Sequence, residues 1–211
     1  MDSESKTTLP SELDAGHAAR IVENINDLER DYRLAEGPMT EWLLSQIAAT
    51  MRNALGDGYE VFRTDYTILI MTSDWKPTKR LGRGDAWLEL MELTEDESGY
   101  TWLAAATGSG DTKMVLELMW RPGLIHTGEA IAADKAHAAK LEKIGFQRHE
   151  DTGKRWYIPF VIDRMQLAKG FSENDIDAAL LPVKKAVEAI AAGKADLDQL
   201  IAKVQDTGKG A

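Results

Sequence analysis

The sequence contains no cysteine, and this absence excludes a group of functional sites. Disulfides, thiolate metal sites and thiol nucleophiles are all ruled out. Histidine is scarce as well: the chain has His17, His126, His137 and His149. No two of them have the i, i+4 spacing that places a pair of metal ligands on one helix face. We therefore expect no bound metal and no cofactor.

Long apolar runs are also missing. No stretch approaches the roughly 18 apolar residues that span a bilayer, and residues 1–10 lack the apolar core of a signal peptide. We therefore expect a cytoplasmic protein that does not contact membranes. Basic residues are too few to make a broad cationic surface, since 35 acids outnumber 25 bases and give a net charge of -10. Direct nucleic-acid binding, which needs a basic face, is disfavoured.

The periodicity of apolar residues predicts an α+β fold. We expect an antiparallel sheet of about five to seven strands, flanked by N-terminal and C-terminal amphipathic helices. The predicted segments are a disordered tail over 1–10, an N-terminal helical hairpin over 11–56, an antiparallel sheet with one inserted helix over 57–160, C-terminal helices over 161–205 and a disordered tail over 206–211. The hairpin is predicted because Gly37-Pro38 is a typical helix stop.

Strands are predicted where β-branched and aromatic residues cluster between turn residues. The predicted strands cover residues 59–62, 66–71, 86–93, 100–106, 114–120, 146–150 and 155–160. Two acids, Glu89 and Glu117, interrupt apolar strands. In a sheet with one wet face, alternation predicts that both point outward into solvent.

The first helix carries a narrow apolar seam. Steps of three and four residues separate its members, which are Ala18, Ile21, Ile25, Leu28, Tyr32 and Ala35. This spacing is typical of a coiled coil or a bundle helix. A second apolar stripe covers 197–204 near the other end of the chain. The two stripes either pack together on the sheet or meet a partner; the second option predicts a homodimer through Ile21, Ile25, Leu28 and Tyr32.

A short basic segment stands out in the acidic chain. Between Trp75 and Arg83 there are four cations and no acid. Such cations can hold a phosphate or an acidic group, and an adjacent tryptophan is typical of a binding surface, although it is equally typical of a ring packed under a lysine stem. The predicted partner-binding residues are Trp75, Lys76, Lys79, Arg80 and Arg83.

An enzymatic alternative rests on the order of elements. The sequence has no Gly-x-Ser-x-Gly elbow, HExxH motif or P-loop. However, the order helix, three strands, helix, strand over about residues 40–160 resembles the core of the restriction-endonuclease-like nucleases. This resemblance implies acids and a lysine that hold a divalent ion and activate water. The residues available for these roles are Glu41, Asp85, Glu89, Asp111 and Lys113, and Asp111-x-Lys113 has the (D/E)-x-K spacing.

No nucleophile, metal or cofactor signature is complete, so the sequence favours a non-enzymatic interaction protein. We expect an adaptor or inhibitor that holds a protein partner through surface charge. One form of this function is an acidic protein that mimics nucleic-acid charge and blocks a basic site. The alternative is a metal-dependent or degenerate enzyme of nuclease-like architecture.

Overall fold

Six strands form the centre of the fold. A computed structural model describes residues 14–65, 67–76, 84–94, 101–109, 112–149 and 153–208. The strands are β1 (Glu60–Arg63), β2 (Ile68–Met71), β3 (Ala86–Thr94), β4 (Thr112–Trp120), β5 (Gln147–Arg148) and β6 (Trp156–Phe160). All neighbouring strands are antiparallel, and their order across the sheet is β1-β2-β3-β4-β6-β5. The predicted antiparallel α+β fold is confirmed.

The two faces of this sheet differ. Strands β3 and β4 pair along their whole length, so alternate side chains define two faces. One face, which we call the helix-covered face, holds leucines that are 3% exposed or less: Leu88, Leu90, Leu116 and Leu118. Glu89 and Glu117 stand directly opposite each other on the other face, which we call the outer face.

The helices come before, between and after the strands. They are α1 (Ala15–Glu23), α2 (Ile25–Leu34), α3 (Thr40–Leu55), α4 (Trp102–Ala106), α5 (Ile125–Ala133), α6 (Lys135–Ile144), α7 (Arg164–Glu173), α8 (Leu181–Ala192) and α9 (Lys194–Gly208). Helices α3 and α8 pack against each other, and both bury apolar residues in the core. Helix α5 comes so close to β4 that a Cβ on Gly128 would lie 2.4 Å from the Trp120 ring.

Residues 101–106 do not form the strand that we predicted. Trp102–Ala106 is helix α4, so helices are inserted into the sheet region at two places and not at one. The helix begins at Thr101, whose hydroxyl accepts a hydrogen bond from the Ala104 amide at 3.2 Å. A threonine in this position is a good N-cap, and the apolar run behind it lacks the alternation that would have identified a strand.

The predicted N-terminal helical hairpin is not formed. Residues Leu34, Ala35, Met39 and Thr40 all keep right-handed helical backbone angles. Helix α2 therefore runs through a π-helical turn, Ala35–Met39, directly into α3. The π turn accommodates Pro38 inside the helix, because its wider backbone spacing relieves the clash that proline causes in a regular α-helix.

The C-terminal stripe packs on the protein's own core. Helix α9 buries Leu197, Leu200, Ile201 and Val204 and continues to Gly208, into the segment predicted to be a disordered tail. The predicted tail over 1–10 and residues 209–211 lie outside the described residues. Among the helices that the structure describes, none combines the length and apolar character that crossing a bilayer requires.

Candidate interaction site

The most unusual feature of the structure is the helical segment made of α1 and α2, which we call the arm. None of residues 15–34 is buried. From Asp14 to Leu34 every residue is exposed except Ala18, which is half-buried. Its two helices have 9 and 10 residues and meet at Asn24, whose backbone angles are not helical (φ −110°, ψ 14°). Residues 15–34 together extend about 30 Å at about 1.5 Å per residue. Helices shorter than about 12 residues are only marginally stable alone in water, and the arm lacks the tertiary packing that normally stabilises them.

The exposed side chains of the arm include the residues predicted as dimer contacts. Ile25, Leu28 and Tyr32 are 44%, 48% and 57% exposed. Ile21, Val22 and Leu34 are also exposed. Large apolar side chains grouped on one element of a soluble protein mark an interaction surface. The structure therefore leaves the predicted seam exposed and available for contact.

Charged residues cover the rest of the arm and pair with one another. Arg30 lies 3.2 Å from Asp27, and Arg33 lies 3.4 Å from Glu29. These are exposed i, i+3 and i, i+4 pairs, each of which stabilises a helix only slightly. At its N-terminus, Asp14 caps α1 by accepting a hydrogen bond from the His17 amide at 2.6 Å. The arm is thus held in helical form by local interactions.

The π turn connects the arm to the core. The Thr40 hydroxyl donates a hydrogen bond of 2.7 Å to the carbonyl of Ala35, which satisfies an acceptor inside the widened turn. Immediately after it, Leu43, Leu44 and Ile47 of α3 are almost completely buried. The arm is therefore a direct extension of a core helix.

An acidic cavity opens beside this turn. It has a volume of about 540 Å³. Its lining residues are Glu36, Thr40, Glu41, Leu44, Arg63, Asp65, Glu92 and Trp102. Burial, and then the negative charge of Glu36, raise the pKa of Glu92 above its ordinary value. Neither the turn nor the cavity follows from the sequence, because Gly37-Pro38 is a typical helix stop.

The described part of the basic segment is less available to a partner than predicted. Trp75 is completely buried, and its indole N–H donates a 2.8 Å hydrogen bond to Asp198 of α9. It is therefore a core residue, and its prediction as a partner contact is wrong. The ammonium of Lys76 lies 2.5 Å from the Glu60 carboxylate. Lys79, Arg80 and Arg83 lie outside the described residues, so their role stays a prediction.

The candidate acids of the enzymatic alternative have separate environments. Glu41 lines the acidic cavity, whereas Glu89 is on the outer face, where it accepts a 2.8 Å hydrogen bond from the Trp87 indole. Asp85 is buried and binds the Arg121 guanidinium at 2.7 Å. Lys113 lies over the Tyr157 ring, and Asp111 is not among the described residues.

These positions do not create a metal site in the described part of the chain. No three histidine, aspartate or glutamate side chains of the described residues are grouped so that they could hold a metal ion. The described residues therefore provide no assembled group of acids that could serve as the metal site of the nuclease-like alternative.

Glu117 also differs from its prediction. It is on the outer face, but it is 2% exposed and not in solvent. The Arg155 guanidinium binds both of its carboxylate oxygens, with Nη2 at 2.6 Å from Oε2. A two-point contact of this kind is a strong charge-assisted interaction, which explains how a carboxylate can be buried in the sheet.

Comparison with known proteins gives no further guidance. No protein-family model, curated protein or solved structure matches the chain. Within the described residues, the arm stands out as an element that the protein's own packing does not explain.

Proposed function

We propose that this protein is a non-enzymatic interaction protein, an adaptor or an inhibitor, that binds a protein partner through its N-terminal arm. The observation that carries this proposal is the exposed apolar seam on two consecutive helices, α1 and α2, that bury no residue. Helices with apolar residues at this spacing commonly bind by laying their apolar face against another helix or into a groove.

The connection of the arm to the core supports an interaction role. Because α2 continues through the π turn into the buried helix α3, the arm is presented at a fixed place on the protein. A presented helix loses less conformational freedom on binding than a disordered segment would, and this favours affinity. The fold thus supplies a partner with a preformed surface.

Acidic charge gives the inhibitor form of this function a second surface, separate from the seam. The chain has a net charge of -10, and four carboxylates line the cavity at the base of the arm. A basic site would complement these acids, whereas the seam requires only an apolar strip on the element that binds it. The charge-mimic form of the proposal requires only that the acids meet a basic site, without a role for the seam.

A pair of substitutions on α2 tests the proposal. Leu28→Asp and Asn26→Asp each add one negative charge to the arm, but only Leu28 belongs to the apolar seam. We expect partner binding to the full-length protein, measured by quantitative co-purification, to fall at least tenfold with Leu28→Asp and to remain with Asn26→Asp. Both variants should melt within about 2 °C of the wild type, because exposed sites change stability little.

Other outcomes would redirect the proposal. If Leu28→Asp retained its partners at the wild-type level, the arm would not be the binding element. If both variants bound partners more tightly than the wild type, acidic charge and not the apolar seam would control binding, as the charge-mimic form requires, because added carboxylates strengthen the attraction to a basic site.

A further inference from the structure

We propose that the partner of the arm is a second copy of this chain, and that the two arms pack antiparallel to each other. This inference rests on the proposed function and names the occupant of the same surface. Three observations carry it: the width of the seam, the fate of the other apolar stripes in the chain, and the position of charges beside the seam.

The width of the seam indicates the shape of its occupant. Its members, from Ala18 to Ala35, follow alternating steps of three and four residues. A stripe this narrow fits the seam of another helix, whereas a helix that packs on a globular core has a broader apolar face. The occupant expected from this spacing is therefore a helix with a similar exposed seam.

Other apolar stripes of the described helices are already occupied. Helices α3, α8 and α9 bury their apolar stripes within the chain's own core, with Leu181 at the start of α8 as an exposed exception. The arm is different because its seam is exposed along α1 and α2. Among the residues that the structure describes, the arm is the element that has an exposed seam with the same period. A second copy of the chain would supply a matching arm.

The charges beside the seam determine the orientation of the two arms. The positions that flank a coiled-coil seam are here His17, Val22, Asn24, Glu29, Asp31 and Glu36. The first three carry no acid, and the last three are all acids. Glu36 lies in the π turn, so the comparison rests on the two acids within α2. A parallel pair would place the half of each arm that carries Glu29 and Asp31 beside the same acidic half of the other arm, and like charges beside the seam oppose pairing.

An antiparallel pair removes this conflict. If Ile25 packs opposite Leu28 of the second copy, then Asp31 comes beside Asn24 and Glu29 comes beside Val22 of that copy. The acidic half of each arm thus meets the half without flanking acids. The same alignment places Ala18 opposite Ala35 of the second copy. It buries the predicted contacts Ile21 and Tyr32 against each other.

The lack of native cysteine makes the orientation directly measurable. We would prepare Ala18→Cys and Ala35→Cys as two full-length proteins with different affinity tags. In the antiparallel pair, the two copies of position 18 lie about 26 Å apart, from 17 residues at about 1.5 Å each. A disulfide cannot bridge that distance, because its two Cα atoms lie within about 7 Å of each other.

The expected result is a disulfide that forms in the mixture and not in either variant alone. Cross-linking of each variant with itself would show a parallel pair and would overturn the proposed orientation. Absence of cross-linking in all three samples, together with monomeric mass at high protein concentration, would overturn the self-association.

Sedimentation equilibrium of matched variants completes the test. We expect the wild type and Asn26→Asp to show twice the chain mass at high concentration, and Ile25→Asp to show the mass of one chain. A dimer that persists in Ile25→Asp would overturn the arm as the dimer contact. A monomeric wild type that still binds other proteins through Leu28 would overturn this inference alone and leave the proposed function intact.

Discussion

The two ends of this chain carry similar apolar stripes but use them in opposite ways. At the C-terminus, Ile190 of α8 and Leu197 of α9 are completely buried. At the N-terminus, Ile25 and Leu28 of the arm remain almost half exposed. Both regions are amphipathic helices, so helical period alone does not decide whether a stripe packs on its own protein.

The connections of the two regions explain the difference. Helices α8 and α9 meet at Gly193, where a Cβ would lie 2.4 Å from a side-chain carbon of Ile144. The missing side chain lets both helices pack closely on α6. The arm is joined to the core by a helix without a reversal, so it cannot fold back. The connection beside an amphipathic helix therefore determines whether its apolar face packs on the protein's own core.

The largest difference in the free energy of unfolding should come from truncating one apolar residue in each region. Ile190→Ala removes buried methyl groups and should lower the free energy of unfolding by about 2–5 kcal/mol. Leu28→Ala, measured by urea denaturation at a protein concentration low enough to keep the arms apart, should change it by no more than about 0.5 kcal/mol. An equal loss for Leu28→Ala would mean that the arm packs on the body.

The same contrast in stability is expected between an ion pair in the core sheet and one in the arm. Arg155→Ala leaves the buried Glu117 carboxylate without its partner, and we expect a loss of about 3 kcal/mol. This is the low end for a buried pair, because Arg155 is itself 38% exposed. Arg30→Ala in the arm should cost less than about 0.5 kcal/mol. Chemical denaturation measures both, and recovery of stability in a Glu117→Leu, Arg155→Leu double variant would confirm that the unpaired charge causes the loss.

The smallest effect on stability is expected at Glu92, which lines the cavity between the arm and the core. Burial and Glu36 raise the pKa of Glu92 above 4.5, so its ionised form is less favourable in the folded protein than in the unfolded chain. The associated stability is present below about pH 4.5 and is lost as the pH rises through the folded pKa.

Glu92→Gln should therefore stabilise the protein at pH 7 by a few tenths of a kcal/mol. The effect is small because the carboxylate is only partly desolvated: its residue is exposed at the open cavity, where solvent screens the charge. The gain should disappear in acid. Thermal unfolding from pH 4 to pH 8 measures it, with Glu142→Gln on α6, which does not line the cavity, as the control. A gain that does not depend on pH would contradict the electrostatic explanation.

The sequence predicts the sheet well because its strands carry strong local signals. Residues 86–93 and 114–120 combine apolar runs with flanking turn residues, and they became β3 and β4. The seam on the arm was also visible, since its period does not depend on the fold. These are the cases in which short-range pattern and tertiary structure agree.

The remaining features depend on contacts that the sequence does not display. Trp75 has cationic neighbours, but its ring is buried by elements distant in the chain, including Asp198. Glu117 was expected in solvent because Arg155, its partner, is 38 residues away. A Gly-Pro pair ends most helices, whereas here the helix continues through the π turn that contains Gly37 and Pro38. A local rule fails at each of these places because a tertiary contact or an unusual turn overrides it.

The π turn also sets the rotational phase of the arm. On a regular helix with about 100° per residue, Tyr32 and Leu43 would lie within about 20° of each other. The seam would then face the same side as the core residues of α3. A π turn holds about one residue more than an α turn, which changes this angle by about 100°. The π turn, Ala35–Met39, therefore rotates the seam by about a quarter of a turn. The seam then faces away from the protein's own core.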